Sequence, residues 1–214
     1  MATEKKLNLE EQTVKDFAEA TFSRAPVPGG GGVAAVVGSL GAALGGMVCN
    51  LTTGKKKYAQ YEEDICRLLS QLEDLTAQLL ALAEEDAENF APLSALYALP
   101  TETEEQKQEK HRKMQAALRV AVSAPVSMMK LSYQALILLE ELLEKGSKLV
   151  LSDVGCGALC LKSALEMGWL NVKINLSSME DEAYKTALQE ELLPLLSDGE
   201  EKADRIYRMV EKEL

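Results

Sequence analysis

The sequence predicts an all-α fold, a helical bundle of about six helices, and three observations carry that reading. Apolar residues recur in steps of three and four along most of the 214-residue chain. Capping and stop residues bracket these periodic runs, and no segment shows sustained period-two alternation with β-branched enrichment. With 47% hydrophobic and 27% charged residues the composition is that of a globular chain. Its length suits one domain, read here as residues 1–214, with no internal repeat and no flexible linker.

The elements follow in order. Thr13 with Asp16 marks a helix start, and Val14, Phe17, Ala18 and Phe22 repeat at helical spacing until SRAPVP ends the pattern. After the glycines Gly29 to Gly32, the stretch from Val33 to Thr53 carries no charged side chain and is rich in alanine and glycine, which predicts a helix buried on nearly all sides. Its length of about 20 residues matches a membrane span, but Gly38, Ser39, Gly41, Gly45, Gly46 and Asn50 make it only weakly apolar. A core helix with close neighbours is the better reading.

From Lys55 onward, Ile65, Leu68, Leu72, Leu75, Leu79, Ala83 and Phe90 define one long amphipathic helix. Thr103 with Gln106 forms a capping box for another, carrying Met114, Leu118, Val122, Met129 and Leu136, which Pro125 should kink. Gly146 closes it. Lys148 to Leu151 reads as a short extended link, and Ser152 as the cap of a helix bearing Val154, Ala158, Leu161, Leu165 and Val172. Ser178 with Asp181 starts the next, and Ile206, Tyr207, Val210 and Leu214 end the chain on an amphipathic run.

Charge and cysteine usage exclude some classes of function. A net charge of −11 repels duplex DNA and anionic membranes, so nucleic acid and membrane are not expected partners. The N-terminal MATEKKLNLEEQ has no apolar signal core, so a cytoplasmic location with reduced cysteines is expected. Cys49, Cys156, Cys160 and the single histidine, His111, allow a zinc site only arithmetically, because no C-x-x-C pair is present. No metal is expected.

Four groups of residues are candidates for chemistry. Glycines leading into a helix leave backbone N–H groups unpaired and let a ligand approach the main chain, although a plain interhelical turn has the same composition. A dinucleotide fingerprint is excluded, since no strand precedes Gly30 and no acidic residue follows at the required distance. Asp86 projects within roughly 20 degrees of Leu79 and Leu68 on a helical wheel, in the middle of the apolar stripe. A carboxylate placed there either has a partner or a raised pKa, both typical of an acid/base residue, unless the helix frays before Pro92 and leaves it solvated. Ser152 and Asp153 serve equally well as capping residues. Asn171 and Asn175, one turn apart beside Gly157 and Ala164, can hydrogen-bond a heterocycle or a neighbouring helix. Lys55, Lys56 and Lys57 are either solvated charge or the place where an acidic protein receives an anionic ligand tail.

The string PVPGGGGVAAVVGSLGAALGGMVCNLTTGKKKY, from Pro26 to Tyr58, resembles the opening motif of the formimidoyltetrahydrofolate cyclodeaminase family, which includes stand-alone methenyltetrahydrofolate cyclohydrolases. EEDAENF with Asp86, Leu99 with Pro100, and SDVGCGALCLKSALEMGWLNVKINL with Ser152, Asp153, Asn171 and Asn175 follow in the family's order, so the likeness runs from Thr13 to the end. The resemblance implies a dimeric all-α enzyme needing no cofactor beyond tetrahydrofolate as substrate, with Asp86 as the catalytic carboxylate. It implies that Pro28, Gly29, Gly30, Gly31 and Gly32, with the helix from Ser152 to Asn175, line the folate pocket, and it makes Lys55 to Lys57 the candidate site for a polyglutamate tail. Two departures stand out: Gly32 replaces a serine or similar small polar residue, and Glu84 stands at the earlier acidic position. The transferase domain fused to the mammalian enzyme is absent from this sequence, which implies a monofunctional protein. The expected activity is cyclisation of 5-formimidoyltetrahydrofolate to the 5,10-methenyl compound with release of ammonia. Hydrolysis of that compound to 10-formyltetrahydrofolate is the alternative, and an acidic helical scaffold without chemistry is a remote third.

Overall fold

The computed structural model describes residues 12–214; the stretch read for an export signal lies almost wholly outside them. Seven α-helices and two short 3-10 segments are the regular elements of the described residues, with no strand among them. Helix α1 (Val14–Phe22) is capped by Thr13 as expected, but none of its residues is buried, so the packed bundle consists of the other six.

Helix α2 (Gly30–Asn50) is the central element and packs against α3 (Glu62–Tyr97), α5 (Ser123–Lys145) and α6 (Leu151–Ser177). It starts earlier than the composition indicated: Gly29 is the N-cap and Gly30 to Gly32 form the first turn rather than a loop. Small residues let it cross α6 closely. A Cβ at Gly41 would lie 2.9 Å from the Gly157 carbonyl oxygen, and one at Gly157 would lie 2.9 Å from that of Gly41. Gly30 sits beside Asn171, Gly38 beside Ala164 and Gly41 beside Gly157, so α2 and α6 run antiparallel. Two helices, Gly30–Asn50 and the Glu104–Lys145 stretch, are long and apolar enough to cross a membrane, and their most apolar windows are 56% and 50% buried inside the bundle.

The lysine run opens a 3-10 turn (Lys56–Tyr61) before α3, which then continues through Pro92. The capping box at Thr103 and Gln106 is formed at the start of α4 (Glu104–Ala121). Pro125 does more than kink the next helix: it has no N–H for the Ala121 carbonyl, and the chain divides there into α4 and α5. Gly146 caps α5. Three sequence expectations are corrected. Lys148–Val150 is a 3-10 turn instead of an extended link; α6 begins at Leu151, so Ser152 lies inside its first turn and caps nothing. The cap of α7 (Glu182–Glu213) is Asp181 alone, because Ser178 ends α6. The buried Leu68, Leu72, Leu79, Leu136, Leu139, Leu161 and Leu165 join these helices in one continuous apolar core.

Candidate active site

The N-terminus of α2, the C-terminal third of α3, the end of α4 and the C-terminal third of α6 converge on a cavity of about 290 Å³. Its lining includes Gly29, Gly30, Gly31, Asp86, Asn171 and Asn175, with an apolar wall of Phe90, Leu93, Tyr97 and Leu118. The volume is that of a small ligand head, and the mix of an apolar wall with few polar groups is typical of a small-molecule site.

Asp86 occupies the centre for reasons visible in its surroundings. It is half-buried on the core-facing stripe of α3, directly against the backbone of α2: a Cβ at Gly31 would overlap its carboxylate. Only glycine permits that approach. Burial pushes the Asp86 carboxyl up to about 6 from an ordinary 3.8, the Gly32 N–H holds it partly down, and the nearby Glu85 charge adds to the rise. A carboxylate poised there exchanges protons readily at neutral pH.

Across the cavity, Asn171 donates from Nδ2 to the Met167 carbonyl at 2.8 Å, and Asn175 donates to the Asn171 carbonyl at 2.9 Å. The wall contributed by α4 is held from outside: Gln115 bonds the Ser178 carbonyl and the Glu180 N–H, His111 meets Glu180, and Arg119 meets Asp181. The aromatic and apolar wall was not singled out from the sequence. Tyr97, 57% exposed at the mouth, lies in a stretch whose periodicity had already broken down at Pro92.

The remaining candidates lie elsewhere. Lys55, Lys56 and Lys57 follow the far end of α2, whose 21 residues extend about 30 Å at helical rise. Ser152 and Asp153 open α6, which runs antiparallel, and so share that distant end. Within one protomer the structure does not bring these five residues to Asp86. Lys55 Nζ bonds Ser147 Oγ at 3.2 Å, Lys57 lies over the Tyr58 ring at 5.5 Å, and Lys56 is exposed. Tyr58 takes the Lys148 N–H, which draws its hydroxyl pKa down. Among the described residues no group of three or more His, Cys, Asp or Glu is arranged to hold a metal ion.

This arrangement matches known proteins along nearly its whole length. The family model for formiminotransferase-cyclodeaminase covers residues 13–193. The chain belongs to that family. It is similar to the methenyltetrahydrofolate cyclohydrolase of Methylorubrum extorquens, at 36% identity over 95% of this chain and 98% of that protein. Similarity to the formimidoyltransferase-cyclodeaminase of Rattus norvegicus is 30% over 95% of this chain, which spans 38% of the rat protein. The crystal structure of formiminotetrahydrofolate cyclodeaminase from Thermotoga maritima superposes with a TM-score of 0.80 at 30% identity, covering 96% of this chain and 97% of that one. The all-helical family fold expected from the glycine-rich string and the Asp86 motif is therefore shown.

Proposed function

We propose that this member of the formiminotransferase-cyclodeaminase family is a folate one-carbon enzyme that makes or breaks the bridge between N5 and N10 of tetrahydrofolate. The observation that carries the reading is Asp86, a carboxylate buried against the N-terminus of α2 with its pKa raised to about 6, inside a cavity sized for a pterin head. In the cyclodeaminase reaction N10 attacks the N5-formimidoyl carbon. Asp86 takes the N10 proton and returns it to the departing nitrogen; the C–N bond to that nitrogen breaks, ammonia leaves, and the methenyl bridge remains. In the cyclohydrolase reaction Asp86 takes a proton from the water that attacks the bridge carbon. The bond from that carbon to N5 then breaks as N5 is protonated, giving 10-formyltetrahydrofolate. Both paths pass through a tetrahedral carbon served by one base.

The 36% identity to the M. extorquens cyclohydrolase supports the hydrolytic direction, while the T. maritima structure supports ring closure. One preparation assayed for ammonia release from 5-formimidoyltetrahydrofolate and for loss of methenyl absorbance decides between them. Activity in neither assay sinks the proposal.

The working unit we propose is a cytoplasmic homodimer of single-domain chains, soluble and without nucleic-acid partners. An uncharged stripe on α2 remains open in the protomer, with Leu40 57%, Met47 44% and Leu51 40% exposed beside a groove shared with Leu69, Ala77 and Leu80 of α3. Burial of this stripe by a second copy removes apolar surface from water. Antiparallel pairing of α2 across this stripe would turn the lysine-bearing end of one copy toward the Gly30 end of the other, and by that route a cluster far from Asp86 in its own chain would receive a glutamate tail.

A further inference from the structure

Asn171 and Asn175 carry information about the orientation of a ligand. Each spends an Nδ2 hydrogen on a carbonyl one turn back along α6, Met167 for Asn171 and Asn171 for Asn175. A side-chain oxygen facing those carbonyls would repel them, so each amide is locked with its Oδ1 turned away, and no hydrogen bond among the described residues reaches either oxygen. On the opposite side, α2 begins at Gly30 without a side-chain cap; Gly32 N–H serves Asp86, and the N–H groups of Gly30 and Gly31 belong to the uncapped first turn. Gly30 and Asn171 are neighbours, an ideal Cβ at Gly30 lying 3.4 Å from Asn171 Nδ2 and 3.8 Å from its Oδ1. The cavity thus has a donor edge on α2 that continues into an acceptor edge on α6.

On the reading that the site takes a reduced folate, we propose that Asn171 and Asn175 are specificity-determining acceptors for the 2-amino and N3–H donors of the pterin, with the 4-oxo group on the free N–H groups of the α2 terminus. Oxo, N3–H and amino lie in that order along one edge of the pterin, acceptor followed by two donors, which is the complement of the edge formed by Gly30, Asn171 and Asn175. The orientation has a chemical consequence. O4 and N5 are peri neighbours, so an oxo group held at the start of α2 brings N5 beside Asp86, the carboxylate packed on that same turn.

The test measures binding by calorimetry, with the stable 5-formyltetrahydrofolate and its 2-desamino-2-methyl counterpart as ligands. Proteins are the wild type, Asn171→Leu and Asn175→Leu. Replacing amino by methyl should weaken wild-type binding about tenfold or more, because buried acceptors lose their donors. That penalty should shrink toward unity in the leucine variants, which no longer carry the acceptors. Serine at either position is the second variant: it keeps a bond to the preceding turn but is too short to reach the ligand, and the same loss of discrimination is expected. No binding of the parent compound by wild type overturns the folate reading itself. Parent binding with equal affinity for both ligands, or with a penalty unchanged in the variants, overturns only the donor–acceptor assignment.

Discussion

At the scale of single residues, Asp86 combines two properties that oppose each other. Its burial against Gly31 raises the carboxyl to about 6, which suits proton transfer and costs stability once the group ionises. The sign follows from the shift: the folded-state value lies above the unfolded 3.8, so this group favours folding when protonated and that benefit is lost as pH rises from about 4 through about 6. Asp86→Asn does not titrate. It should be more stable than wild type at pH 8 by up to about 3 kcal/mol in denaturant unfolding, with the difference vanishing near pH 4. Equal stability of the two proteins at pH 8 would show that the carboxylate is not penalised. The same variant should lower kcat by about 10²-fold or more while folate affinity changes little. Wild-type kcat/KM should fall tenfold per pH unit below about 6, as a base with that pKa requires. A profile flat down to pH 5, or near-normal turnover by the asparagine variant, would make Asp86 structural. The position of Asp86 on the apolar stripe was legible in the sequence. The glycine backbone it packs against was not, since contact between α2 and α3 is set by packing.

At the scale of elements, the close crossing of α2 and α6 fixes where Asn171 stands relative to Gly30. Gly157→Ala places a methyl 2.9 Å from the Gly41 carbonyl oxygen and 2.8 Å from Leu139 Cδ2. The leucine can turn aside, but the backbone oxygen cannot without separating the helices, so a loss of about 1–3 kcal/mol is expected in denaturant unfolding. An unchanged midpoint would mean that the crossing has slack. Helix periods, the Thr103 capping box and the Gly146 stop were readable because each is set by local chemistry. The starts of α2 and α6 were misplaced for the same reason: glycine and serine favour turns locally, whereas packing of the buried Gly31 and Gly32 in α2 and of Leu151 and Val154 in α6 carries helical backbone over the exposed Gly30 and Ser152.

At the scale of the whole molecule, the separation between Lys55–Lys57 and Asp86 makes assembly a question of function. Sedimentation should give a dimer, and substitution of Leu40 and Met47 by lysine should give a monomer with greatly reduced activity. A fully active monomer would remove the need for a second copy. Substrates with several glutamates should show lower KM than monoglutamates, by a margin that shrinks as salt is added, because Lys56 and Lys57 are exposed and screened. A KM independent of both glutamate number and salt would leave the cluster as solvated charge.

The helical class, most of the boundaries, the family and the identity of the candidate base are all written locally along the chain, in period, caps and a motif. Tertiary structure alone decided which of the motif residues meet. The antiparallel register of α2 and α6 joins Gly30 to Asn171 at one end of the bundle and carries Lys55, Ser152 and Asp153 to the other. Residues adjacent in a motif can end a helix length apart, because helical rise and helix direction, rather than distance along the chain, set their positions in space.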